Sequence, residues 1–181
     1  GFLVGWAAGM LFHTLAFWWL TCTAPVIGPP GLGLYKGLYW GLFVYLVRWA
    51  CRPGDVPVAL AAPIAWITLE LTRCYLFGGL PFWIVGYALH GFGTLIQIAD
   101  LGGVWLVSWL ALLVNAAIAC AFLRGGSSRE YRLSAGLSIA LIAVSVLYGL
   151  VRLSTIEMTD GMVIGVVQPN IPQDIKKQIR G

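Results

Sequence analysis

The sequence predicts an all-α polytopic membrane bundle of about five transmembrane helices, followed by the first strand of an incomplete α/β domain. Three observations carry that expectation. Hydrophobic residues fill 60% of the 181 positions and charged residues 10%, against about 25% charged in an ordinary soluble domain. Five apolar stretches each come near the ~20 residues that a helix needs to cross the hydrocarbon core. After the last of them the pattern changes to a short β-branched run that cannot span. With a mean hydropathy of +0.87, the solvent over most of this chain is expected to be lipid. The net charge of +4 is small and scattered, which argues against nucleic acid as a partner.

The first predicted span covers residues 1–20 and the second 33–51. The first carries Gly1, Gly5 and Gly9, and the second Gly33, Gly37 and Gly41. Such four-residue spacing lets two helix backbones approach closely in lipid, where apolar burial alone drives no association. The stripes read as a tight helix pair or as the floor of a groove. The third span, 58–78, opens after Pro57, a residue favoured at helix starts. The fourth covers 104–123 and the fifth 133–153. The long apolar connection 79–103 is expected to lie on, or dip into, one membrane interface. Aromatic residues gather near the same side: Phe17, Trp18 and Trp19; Tyr35, Tyr39 and Trp40; Phe82, Trp83 and Tyr87. An interfacial belt explains most of them.

Loop charge sets the expected orientation. Arg48 and Arg52 lie between spans two and three, and Arg124, Arg129 and Arg132 between spans four and five. The opposite connections, 21–32 and 79–103, hold no Lys or Arg. The basic loops are therefore expected to be cytoplasmic, which makes the chain a multi-pass membrane protein with residues after about 153 extracytoplasmic. Residues 1–153 form the predicted membrane domain and 154–161 a polar linker. Met162-Val163-Ile164-Gly165-Val166-Val167-Gln168 then reads as a buried strand of the kind found in α/β sheets. Pro169 and Asn170 end it, and Gln173 to Arg180 resembles the opening of a surface helix. One strand and part of a helix cannot enclose a core, so residues 162–181 are expected to begin a domain they do not complete. The start at Gly1 likewise suggests a chain lacking its natural N-terminus.

Among residues suited to chemistry, Glu70 and Arg73 stand out. They are three apart on one helix face, and a charge at mid-bilayer costs about 2.5–3.5 kcal/mol on insertion scales. They read either as a structural ion pair or as the polar wall of a lipid-headgroup site with Arg73 facing phosphate. His13, Asn115, Gln97 and Asp100 read more simply as interhelical or loop contacts. Cys22, Cys51, Cys74 and Cys120 form no CxxC pair, and two histidines supply no metal spacing. Neither a metal nor a cofactor is expected. No GxSxG, Walker A, HExxH or dinucleotide motif occurs, so no catalytic residue is assigned within the chain.

Several stretches resemble the bacterial apolipoprotein N-acyltransferases. They are Glu70-Leu71-Thr72-Arg73, then Gly79-Leu80-Pro81-Phe82-Trp83-Ile84-Val85-Gly86-Tyr87, Leu95 to Val104, Ser108-Trp109 and Leu113-Val114-Asn115-Ala116. The tail Val166-Val167-Gln168-Pro169-Asn170-Ile171-Pro172-Gln173-Asp174 is similar to the first strand and turn of that family's carbon–nitrogen hydrolase, or nitrilase-like, domain. The chain departs from the family in placing Phe82 between Pro81 and Trp83, and in having Pro169 where glycine is usual.

The resemblance implies transfer of an acyl chain from a phospholipid donor to the N-terminal S-diacylglyceryl cysteine of an apolipoprotein acceptor, by a monomeric enzyme. It implies a Glu, a Lys and a Cys that form a cysteine thioester and lie beyond this chain, which alone would be inactive. Glu70, Arg73, Trp83 and Tyr87 become candidate substrate- or lipid-binding residues. A non-enzymatic membrane module, a transporter half or a scaffold, is the competing expectation.

Overall fold

The computed structural model describes residues 1–22, 27–52, 56–76, 79–157, 161–170 and 175. Among the described residues there are five α-helices: α1 (Phe2–Ala16), α2 (Gly28–Ala50), α3 (Val58–Tyr75), α4 (Ala99–Arg124) and α5 (Arg129–Thr155). Each overlaps one predicted span. Residues Leu95–Leu123 and α5 are long and apolar enough to cross a membrane, and α1 is apolar but shorter. Lys36 and Arg48 in α2, and Glu70 and Arg73 in α3, interrupt otherwise apolar surfaces.

The bundle is inside-out relative to a water-soluble protein. His13, Lys36, Glu70, Arg73, Ser108, Ser134, Ser138 and Ser145 are buried, while Leu3, Leu11, Leu15, Ile139 and Leu147 stand exposed. In water this arrangement would leave a large apolar surface uncovered. In hydrocarbon it costs nothing, because lipid tails are as apolar as leucine, and polar groups gain by turning inward.

Helices α1 and α2 pack most closely, along both glycine stripes. A Cβ on Gly5 would lie 2.8 Å from the Trp40 carbonyl, and one on Gly37 would lie 2.8 Å from both the Met10 nitrogen and the Trp6 carbonyl. The stripes therefore make a tight pair, and Gly1 and Gly5 of the first stripe also line an apolar crevice. The Trp6 indole N–H adds a bond across the crossing to the Leu34 carbonyl, 3.2 Å away. Helix α2 then meets α3, α3 meets α4, and α4 meets α5. The inward face of α5 is small: Ser134, Ser138, Ser145 and Gly149. Ser138 and Ser145 return their hydroxyl protons to carbonyls one turn back, at 2.7 and 2.6 Å, which removes the cost of burying them.

The connection 79–98 forms short 3₁₀ turns over Val85–Leu89 and Leu95–Ile98. The second runs into a short entry turn of α4 that precedes the predicted start of that span. Gly102 and Gly103 depart from helical geometry inside α4, and Gly103 has φ +61°. That left-handed conformation suits glycine and turns the entry segment into the long run of the helix. Helix α1 ends at Ala16, followed by a 3₁₀ turn over Trp18–Cys22. Cys22, Cys74 and Cys120 are free thiols.

Residues 161–170 adopt no regular element and are exposed. The strand expected over 162–168 is thus not formed in this chain. An isolated β-branched run has no neighbouring strand to take its backbone donors and acceptors. Apart from residue 175, the surface helix expected from residue 173 lies outside the described residues, as do residues 158–160 of the linker.

Candidate functional site

Three helices, α2, α3 and α4, converge on the backbone of residues 82–86. From α3, Glu70 and Arg73 point inward and are almost completely buried, at 1% and 2% exposure. They form the ion pair that the spacing suggested, with Arg73 Nη2 3.6 Å from Glu70 Oε1. Their stronger bonds are to the main chain. The Val85 N–H donates to Glu70 Oε1 at 2.9 Å, and Arg73 Nη2 donates to the Trp83 carbonyl at 3.2 Å. From α4, buried Ser108 accepts from the Gly86 N–H at 2.9 Å and lies 3.4 Å from Glu70 Oε2 as a donor.

The third charged group is Lys36 of α2, which the sequence reading passed over. Its side chain is fully buried. Nζ donates to the Phe82 carbonyl at 2.9 Å and lies 5.0 Å from the Phe17 ring centroid and 5.9 Å from that of Phe82. A lone lysine in an apolar span reads as a residue that reaches out to the interface. The signal against that was position: Lys36 is three residues after Gly33 and next to Gly37, on the side of α2 that meets its neighbours. Nearby, His13 Nδ1 donates to the Gly9 carbonyl at 2.8 Å, and its ring packs edge-on against Trp40.

The four predicted substrate residues thus divide into two layers. Glu70 and Arg73 lie inside the protein and hold the segment. Trp83 and Tyr87 lie on the segment itself, 51% and 56% exposed. Trp83 has φ +64°, a left-handed conformation that is uncommon for a bulky residue. Its ring makes edge contacts with Phe12 and Phe17 of the α1 end. The arrangement can present an aromatic, outward-facing edge on a backbone whose polar groups are already satisfied from within.

Behind the segment, an apolar crevice of about 720 Å³ opens between α1, α2 and α4. Val85 and Trp66 border it, Ala8, Phe43 and Leu112 line it, and Arg48 borders it too. Asp100 and Asn115 play local parts. Asp100 accepts from Arg152 Nε at 2.6 Å and from the Tyr148 hydroxyl at 3.2 Å, tying the start of α4 to the end of α5. Asn115 donates to the Ala111 carbonyl of its own helix, and Gln97 to the Gly93 carbonyl. Among the described residues no group of three His, Cys, Asp or Glu side chains could hold a metal ion.

Comparison with known proteins gives this geometry its context. Residues 1–117 match the family model described as the apolipoprotein N-acyltransferase N-terminal domain. An apolipoprotein N-acyltransferase of Geobacter metallireducens is 30% identical over 189 residues, covering 97% of this chain and 36% of the relative. One from Rhodopirellula baltica is 33% identical over 130 residues, covering 62% and 23%. One from Caulobacter vibrioides is 30% identical over 183 residues, covering 95% and 34%. The chain therefore spans between 23% and 36% of the length of these relatives. No solved structure matches it. The buried Glu70–Arg73 pair and the segment it holds lie within the matched residues, and the chain belongs to the apolipoprotein N-acyltransferase family.

Proposed function

We propose that this chain is the membrane portion of an enzyme that moves an acyl chain from a phospholipid to the N-terminal S-diacylglyceryl cysteine of lipoproteins. All five helices span the bacterial inner membrane, with the basic loops cytoplasmic and Trp83 and Tyr87 at the outer face. Residues 1–153 form the membrane domain and 154–161 the linker. Residues 162–181 begin an extracytoplasmic carbon–nitrogen hydrolase domain, whose Glu, Lys and Cys lie beyond this chain and form the thioester. The run at 162–168 becomes a strand when the rest of that sheet pairs with it. The protein acts as a monomer, and this portion alone is inactive.

The observation that carries the proposal is the apolar crevice that Val85 helps to line, two residues along the chain from the exposed Trp83. Both substrates present acyl chains to the enzyme sideways from the bilayer. An apolar crevice of this size lies within the range of small-molecule sites, and an acyl chain is the occupant its lining suits. Trp83 and Tyr87 would border the entrance as lipid-contacting residues. Glu70 and Arg73 serve the substrate through the backbone they hold.

The test uses the full-length protein in phospholipid vesicles, with a donor labelled in its acyl chain and a diacylglyceryl lipopeptide as acceptor. Label is expected on the α-amino group of the acceptor cysteine and is lost when the enzyme's thiols are alkylated. Absence of transfer by the full-length protein would overturn the proposal. Ala8→Trp, which fills the crevice from α1, should raise KM for the donor about tenfold, as expected for lost uniform binding, while kcat changes little.

A further inference from the structure

Lys36 has no evident reason to be charged if it only fills space. A buried ammonium in a membrane bundle is costly, and a methionine would fill a similar volume without that cost. Among the described residues no carboxylate lies within ion-pair distance of Nζ; its recorded partners are the Phe82 carbonyl and the faces of Phe17 and Phe82. The charge is therefore directed at one main-chain oxygen.

That oxygen belongs to the residue before Trp83. The neighbouring groups are held as well: the Trp83 carbonyl by Arg73, the Val85 N–H by Glu70 and the Gly86 N–H by Ser108. Between the first and second of these pins, Trp83 sits at φ +64°. Strained backbone of this kind persists only where its surroundings over-determine it. Lys36 supplies the pin on the N-terminal side of Trp83, and no other described side chain bonds the Phe82 carbonyl.

We propose that Lys36 is a positioning residue for acyl transfer: by holding the Phe82 carbonyl it keeps Trp83 in its left-handed conformation, with the half-exposed ring set against Phe12 and Phe17. Without the ammonium, Trp83 relaxes towards ordinary φ while Arg73, Glu70 and Ser108 still hold residues 83–86. The ring then leaves its place against Phe12 and Phe17 and the segment stays docked. The effect falls on substrate capture rather than on the chemical step. This rests on the acyltransfer function proposed above.

The experiment compares Lys36→Met and Lys36→Arg in the full-length protein, reading KM and kcat for the phospholipid donor. Lys36→Met should raise KM about tenfold, the scale of one charge-assisted hydrogen bond, with kcat within about twofold of wild type. Lys36→Arg, which keeps a cationic donor, should recover most of that loss. Trp83→Gly accepts positive φ and removes the ring, so adding Lys36→Met to it should change KM by less than about twofold. Hydrogen exchange gives a readout independent of turnover: peptides covering 80–90 should exchange faster in Lys36→Met and at the wild-type rate in Lys36→Arg.

Unchanged KM and exchange in Lys36→Met would overturn the inference, as would Arg behaving no better than Met, or full additivity with Trp83→Gly. If Lys36→Met does not fold, Lys36→Gln is measured in its place with the same expected direction. A wild-type protein without acyl transfer would instead defeat the proposed function, and the two failures are thereby separate.

Discussion

Glu70 illustrates how much a single buried carboxylate organises. It accepts from the Val85 N–H, receives the Ser108 hydroxyl and balances Arg73. Removing one partner of a buried pair leaves the other charge uncompensated, at a cost of about 3–5 kcal/mol. Glu70→Leu should cost that much in a denaturant titration of the full-length protein in detergent. Glu70→Gln keeps an acceptor for Val85 and should cost clearly less. Ser108→Ala orphans the Gly86 N–H and should cost about 1 kcal/mol. An order in which Gln is as damaging as Leu would show that charge, and not hydrogen bonding, dominates. The Glu70–Arg73 pair was legible in the sequence because two charges three apart in an apolar run are rare. Their targets were not, since nothing in a linear pattern says that a buried arginine bonds the carbonyl of Trp83 ten positions on. Lys36 was missed for the same reason: its partner, Phe82, lies 46 residues away.

At the level of elements, helix existence and type followed from hydrophobic length, and the α1–α2 contact from the two glycine stripes. Gly37→Leu should separate the pair, because its first side-chain atom already meets the backbone of Met10 and Trp6. Loss of folded protein in size-exclusion chromatography is the expected result. Gly136→Ala on α5 is the matched control, since an added Cβ there meets nothing within 4 Å; it should leave the elution unchanged and the melting midpoint equal or higher. Equal behaviour of the two substitutions would remove the stripe as the basis of the crossing. Other boundaries were set by contacts. Helix α4 opens at Ala99 with a short entry that Gly102 and Gly103 break, so its long run begins at Val104 as expected, and the entry is tied to α5 through Asp100 and Arg152. The β-branched run at 162–168 shows the reverse case: its composition favours a strand, but a strand is completed only by its neighbours.

For the whole molecule, the proposed five-span orientation makes a sharp prediction. In a full-length protein with its native cysteines replaced, a cysteine at Ser127 should react with a membrane-impermeant maleimide only after the cells are opened. One at Glu157 should react in intact cells. The opposite pattern would invert the bundle and place Trp83 and Tyr87 on the wrong side for an outer-leaflet donor. Hydropathy and loop charge carry this orientation because they act through the energy of moving groups into lipid, which depends on composition and hardly on packing. By itself, then, the sequence determined that the chain is membrane-embedded, where its helices lie, that two of them press together along glycine and which family's motifs it bears. Only the tertiary structure decided that Lys36, Glu70, Arg73 and Ser108 meet at one strained segment and that Val85 of that segment helps to line an apolar crevice. Those contacts join α2, α3 and α4 across tens of residues, and in hydrocarbon they arise from the need of each buried polar group to find a partner in three dimensions.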